Sequence, residues 1–304
     1  MLGIARIAEK GLLAAASITA AIAFLGVLAF DANVMFGLLI TPVTIMLSSA
    51  VLAFVLLRHQ QQAAITVALV AGGLVVLAAL LTQQFAVQIL IYTALCWLGS
   101  LTIASVLRQT VSLKWAVLAS VPMTVFIGLC ATAFKAQIVS FFQASWNESI
   151  ARFSDAERQA LDAQNLELMQ RMPELLAESV GSWAFFIVLS SIFVGRYWQA
   201  QLFNAGGFQQ EFHSLRLGKE AVFACVLALG LSLVFSIQLF AMISSALIFV
   251  FFIQGLSVLH CLTKQRGLSR NWLVGMYVIL WLPPTMLLLS MLGMVENFFR
   301  LRKQ

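Results

Sequence analysis

Nine apolar stretches, most of them about twenty residues long, leave this chain few ways to fold. They run near 11–30, 34–57, 63–81, 85–107, 115–142, 180–203, 220–237, 239–262 and 271–294. A helix needs about 20 mostly apolar residues to cross a hydrocarbon core of about 30 Å. In that medium an unpaired backbone amide costs several kcal/mol, and no barrel-like alternation is visible, so each stretch is expected to be a helix. Composition agrees. Of 304 residues, 62% are hydrophobic and only 10% are charged, with a mean hydropathy of +0.97, whereas a soluble domain carries about 25% charged residues. The expected fold class is therefore all-α, a polytopic transmembrane helix bundle of about nine spans, with eight as the alternative. A disordered chain, a disulfide scaffold and an ordinary cytosolic enzyme are excluded. Cys96, Cys130, Cys225 and Cys261 fall within or at the ends of spans and read as apolar packing residues.

Three regions follow: a five-span bundle over 1–142, an external acidic amphipathic segment over 143–179, and a second bundle over 180–304. Residues 220–262 are too long for one crossing, yet only Ser236 and Gln238 mark a turn there. Pro283 and Pro284 divide the last stretch into halves of about ten residues, so a re-entrant hairpin competes with a ninth crossing.

Orientation is set by Lys and Arg in short loops. Arg6 and Lys10 precede the first span. Arg58, then Arg108 and Lys114, then Arg196, Arg216 and Lys219, then Lys264, Arg266 and Arg270 fall on alternate sides, as a cytoplasmic N-terminus requires. One conflict remains, because nine crossings would place Arg300, Arg302 and Lys303 outside. The first span has the basic start of a signal peptide but no small-x-small cleavage pattern, since Phe30 and Asp31 occupy that place; it is expected as a retained anchor.

Seven of the twelve acidic side chains lie in 143–179: Glu148, Asp155, Glu157, Asp162, Glu167, Glu174 and Glu178. Ser154 and Glu157 have the spacing of a capping box. Leu161, Leu168, Met172, Leu175 and Leu176 continue at near-heptad spacing until Pro173 is expected to interrupt the helix. The segment reads as a solvated connector on the bilayer surface or, less favoured, as a lid over an outward-facing cavity.

No Asp or Glu sits near the middle of any span, which disfavours a proton relay. Lys135 is expected in the outer half of the fifth span, where it either binds an anion or snorkels to the interface. Gln88 and Tyr92, one turn apart in the fourth span, and Gln254 and Ser257, on one face of the eighth, could orient a neutral small molecule in an apolar cavity. The competing reading, favoured residue by residue, is interhelical hydrogen bonding worth about 0.6–2 kcal/mol per contact. His59, His213 and His260 lack metal-ligand spacing, and no phosphate-cradling, GxSxG or HExxH pattern is present. No enzyme activity, cofactor or metal is expected. The net charge of +6 fits anionic lipid headgroups, with no nucleic-acid partner. Gly11, Ala15, Thr19 and Ala23 form a small-residue stripe on the first span, with Ala16 and Ala20 beside it. Such stripes are packing faces, inside the chain or between subunits.

Three segments carry a family resemblance: Gly206-Gly207-Phe208-Gln209-Gln210-Glu211-Phe212-His213-Ser214-Leu215-Arg216-Leu217-Gly218, then Phe252-Ile253-Gln254-Gly255-Leu256-Ser257-Val258-Leu259-His260, then Leu292-Gly293-Met294-Val295-Glu296-Asn297-Phe298-Phe299-Arg300. With them the chain resembles the YybS-like, DUF2232 family of bacterial membrane proteins, which implies a multi-pass protein of the bacterial cytoplasmic (inner) membrane. The N-terminal half is similar to the substrate-binding S-components of energy-coupling-factor transporters. That resemblance implies an S-component-like bundle in which Ala16 and Ala20 meet a partner membrane subunit, although S-components are usually shorter, six-span proteins.

Two functions are open at this stage. The first, slightly favoured, is a substrate-binding or transport component for a small solute, energised by a partner. The second is a non-transporting scaffold or assembly factor for the cell envelope, with loop 204–219 and the Glu296–Arg300 segment as working parts. Gly206 and Gly207 permit a docking turn with positive φ, and Arg216, Glu296 and Arg300 supply its charges. Lipid is a partner in either case.

Overall fold

A computed structural model describes residues 2–82, 87–152, 163–269, 271–280, 282–299 and 301–302. Among them all regular structure is helical: α1 (Leu2–Glu9), α2 (Leu12–Ala32), α3 (Val34–Arg58), α4 (Gln61–Thr82), α5 (Val87–Thr110), α6 (Leu113–Ala133), α7 (Lys135–Ala151), α8 (Ala163–Phe203), α9 (Gly207–His213), α10 (Lys219–Phe235), α11 (Gln238–Gln265), α12 (Asn271–Ile279) and α13 (Pro283–Phe299). Seven helices are long and apolar enough to cross a membrane: α2 to α6, α8 from Leu168 onward, and α11. The protein is a polytopic helical membrane bundle.

The helices form two compact units, one of residues 1–105 and 126–199, the other of 106–125 and 200–304. In the first, α2 and α3 form a tight hairpin. Asn33 caps α3 by accepting hydrogen bonds from the amides of Met35 at 2.8 Å and Phe36 at 3.3 Å. Gly26 and Gly37 let the two backbones close up, because a Cβ at either would strike Thr44 or Phe30. Thr41 donates to the Gly26 carbonyl across the pair at 2.8 Å. Along α4 the buried residues are Ala64, Val67, Ala71, Val75 and Ala79, a single small-residue face. Polar side chains join the remaining helices: Trp97 Nε1 donates to Ser48 Oγ at 2.9 Å, and Ser100 and Ser191 share a bond of 2.8 Å.

Two expectations change here. The fifth apolar stretch breaks at Phe134, so α6 ends at Ala133 and α7 is a separate helix starting at Lys135. Pro173 does not end α8, which runs on through it. Proline removes one helix hydrogen bond, but Met169, Met172, Leu176 and Val180 pack against the cluster of Phe30, Phe142 and Trp146, and that contact holds both sides of the proline in line. The Ser154–Glu157 capping box and Leu161 lie outside the described residues.

In the second unit, α10 and α11 form a hairpin. Ser236 turns the chain in the left-handed region at φ 53°, where the sequence marks its weak turn. The two strongest close approaches are at Gly255 and Gly293, where α11 meets α13: a Cβ at Gly255 would strike the Leu289 carbonyl, and one at Gly293 that of Phe251. Ser290 donates to Ile248 O at 3.0 Å and Asn297 Nδ2 to Gln254 Oε1 at 3.4 Å. Arg302 Nη1 donates to Ser257 Oγ at 3.1 Å. Rising numbers pair with rising numbers, so α11 and α13 run in the same direction.

That direction decides the course of the chain. Ser257 of α11 donates to Phe212 O, which places the end of α11 beside α9, and Arg302 reaches the same place. Helix α12 lies between the end of α11 and the start of α13, and a bend of 118° separates α12 from α13. The bent pair is either a broken span or a re-entrant hairpin. Among the described residues the candidate spans number seven, or eight if the bent pair counts as one. Helix α10 leaves the α9 end, to which α11 returns. Its 17 residues span about 25 Å, the lower limit for a crossing helix. Arg302 lies at the α9 end together with Arg216.

Candidate functional site

The polar side chains of the second unit concentrate at the α9 end, and three segments distant in sequence meet there. Gln254, fully buried in α11, sits at the centre. Its Oε1 accepts from the Leu217 amide at 2.9 Å, and its Nε2 donates to the Gly293 carbonyl at 2.8 Å. One side chain thus joins the loop after α9, helix α11 and helix α13. Asn297, one turn beyond Gly293, accepts from the Gly218 amide at 2.9 Å. Gly218 itself has φ 101°, a conformation that glycine alone adopts without strain.

Charge surrounds this core. Glu296 is 2% exposed and Arg302 8%. Arg302 Nε donates to Glu296 Oε1 at 2.9 Å, and the Leu301 amide donates to Oε2 at 2.7 Å. The rest of the Arg302 guanidinium donates to His213 O at 2.5 Å and Leu215 O at 2.8 Å. Those carbonyls lie at and just beyond the C-terminal end of α9, where the acceptors have no partner within the helix and favour a cation. A seven-residue helix is marginal alone; Arg302 caps it from another segment. Removing one member of a buried ion pair leaves an uncompensated charge and costs about 3–5 kcal/mol. Arg216 Nη2 donates to the Glu296 backbone carbonyl at 2.5 Å, while its Nε stands 4.0 Å from Glu296 Oε1. That Nε is buried and without a hydrogen-bond partner among the described residues. Burial, followed by the nearby Lys264, His260 and Arg302, holds the His213 imidazole below its usual value of 6.5.

The sequence candidates are distributed unevenly around this clasp. Gln254, Ser257, Arg216 and Glu296 belong to it. Gly206, at φ 87°, makes the left-handed turn that starts α9; Gly207 is already helical and packs under Asn204. Arg300 lies outside the described residues. Asn297 and Arg302 escaped the sequence reading. Asn297 sat unremarked inside a motif, and Arg302 read only as a topological charge.

The other candidates are in the first unit. Gln88 is exposed on α5, and the Tyr92 hydroxyl donates to Val180 O at 3.1 Å. Lys135, expected in the outer half of the fifth span, instead stands at the exposed start of α7. It donates to Glu178 at 2.9 Å, which raises its pKa above the usual lysine value. Ala16 and Ala20 are 1% and 6% exposed, covered by the chain itself. A small open cavity of about 130 Å³ lies where α7 passes the α2–α3 turn, lined in part by Asp31, Asn33, Glu148 and Arg152. Among the described residues no group of three or more His, Cys, Asp or Glu side chains could hold a metal ion.

No curated protein and no solved structure matches the chain. The three segments that meet at the clasp fall within or reach the edge of residues 15–296, the stretch matched by the model of the predicted membrane proteins called DUF2232, and the chain belongs to that family.

Proposed function

We propose that this protein is a non-catalytic membrane scaffold or assembly factor of the bacterial inner membrane, with loop 204–218 as its docking element on the cytoplasmic side. One observation carries the reading: the three motif segments converge on a clasp that spends its buried polar groups on fixing that loop. Gln254, Asn297 and Arg302 bond the backbone at Leu217, Gly218, His213 and Leu215. The outer side of α9 and its flanks leaves Asn204, Gln209, Gln210 and Ser214 exposed. A rigid turn with a polar outer face is pre-organised, so a partner pays little ordering entropy on binding it. The alternating Lys and Arg pattern argues that this face is cytoplasmic.

The test is a photoreactive amino acid placed at Gln209 or Gln210 in native membranes. A defined protein adduct is expected, weakened by Arg216→Ala or Glu296→Ala at unchanged protein level. Adducts to lipid alone, or a protein adduct indifferent to both substitutions, would defeat the proposal. The transport-like reading has one observation in its favour, the cavity of about 130 Å³ beside Asp31, Glu148 and Arg152. It calls for ligand-dependent thermal stabilisation across a panel of small polar solutes, abolished by Arg152→Ala.

A further inference from the structure

The clasp contains two arginines and one carboxylate. We infer that Glu296 is a switch point with two alternative partners, Arg302 and Arg216, and that exchange between them frees or fixes the end of α9 at His213 and Leu215, within loop 204–218. This rests on the clasp geometry and deepens the scaffold reading by giving its docking loop two states.

Arg302 now holds the carboxylate, with Nε at 2.9 Å from Oε1. The same guanidinium bonds His213 O, Leu215 O and Ser257 Oγ, so pairing with Glu296 and fixing the loop are one event. Arg216 is the competitor. Its Nε lies 4.0 Å from the same carboxylate oxygen, buried and without a hydrogen-bond partner among the described residues, while its Nη2 donates to the Glu296 backbone carbonyl. An orphaned buried guanidinium N–H is costly, and a shift of about an ångström would satisfy it. If the segment after α13 withdraws, Glu296 is not left as a bare buried charge, because Arg216 closes on it. The buried carboxylate therefore makes withdrawal of Arg302 affordable, and the His213 and Leu215 carbonyls lose their cap. The two pairings share one acceptor, which makes the element bistable instead of continuously deformable.

The experiment is hydrogen exchange of the full chain in lipid nanodiscs, read on amides 207–218, for Arg302→Gln, Arg216→Gln and the double variant. Arg302→Gln is expected to speed loop exchange by about 10- to 100-fold, the range implied by losing a charge-assisted hydrogen bond, with α11 protection retained. Arg216→Gln alone is expected to change it little. In the double variant, where Glu296 has no arginine partner, exchange is expected to exceed the product of the single effects by about fivefold or more. Multiplicative effects, or an unchanged loop in Arg302→Gln, would overturn the inference. If Arg302→Gln does not fold, Arg302→Lys takes its place: a smaller acceleration is expected, again more than multiplicative with Arg216→Gln, and a multiplicative result overturns it equally. Because the readout needs no partner, failure here leaves the photocrosslinking test standing, and the reverse also holds.

Discussion

Gly255 and Gly293 illustrate how much a single missing methyl group can decide. Both are in segments that look like ordinary apolar helix, and small residues are common in membrane helices. Their meaning appears only where α13 lies across α11, with the Leu289 and Phe251 carbonyls occupying the space a Cβ would need. Gly275, in α12, has open space around it. Gly255→Ala and Gly293→Ala are therefore each expected to destabilise the purified protein by about 1–3 kcal/mol through overpacking. Gly275→Ala is expected to be neutral or to stabilise by up to about 1 kcal/mol through helix propensity. Thermal denaturation of the three variants in one detergent checks this, and an equal response at all three positions would contradict the tight crossing. Gln254 makes the same point for polar residues. Its type and depth singled it out in the sequence, but the amide of Leu217 and the carbonyl of Gly293 that it joins are 37 and 39 residues away.

At the level of elements, α7 and the first half of α8 separate what charge suggests from what packing does. Lys135 attracts attention as a cation near a span, yet its bond to Glu178 joins side chains that are 52% and 59% exposed. Trp146, about three turns further along α7, is 3% exposed in the cluster with Phe30, Phe142 and Ala177. An exposed ion pair contributes about 0–1 kcal/mol, whereas truncating a buried Trp costs about 3–5 kcal/mol. Lys135→Gln is expected to leave the unfolding midpoint almost unchanged and Trp146→Ala to lower it sharply. A large loss from Lys135→Gln would reveal a role for that charge beyond the pair. The same apolar cluster explains why α8 continues through Pro173: the propensity cost is local, and the packing on both sides outweighs it.

For the whole chain, the parallel course of α11 and α13 has a consequence for topology. It places Arg302 at the α9 end, so α12–α13 is expected to be a re-entrant pair. Single cysteines at Gln209 and Leu301, in a background lacking Cys96, Cys130, Cys225 and Cys261, are expected to react with an impermeant thiol reagent from the same side of the membrane. Labelling from opposite sides would require α12–α13 to cross. The charge rule points the same way, since Arg302 then joins Arg216, Lys219 and Lys264 and no longer opposes them.

The amino-acid sequence by itself determined that this is a helical membrane protein, where most spans begin and end, and which three segments matter together. Those properties follow from local quantities: apolar length against bilayer thickness, cations in short loops, and residue types within a motif. The turn at Ser236 and the positive φ at Gly206 were legible for the same reason. Only the tertiary structure decided the break at Phe134, the continuity through Pro173, the parallel course of α11 and α13, and the contacts of Arg302. Each of these depends on which surface lies opposite. An arginine beyond an apolar helix has the same local signature whether it faces water or, as here, closes over Glu296 and the end of α9.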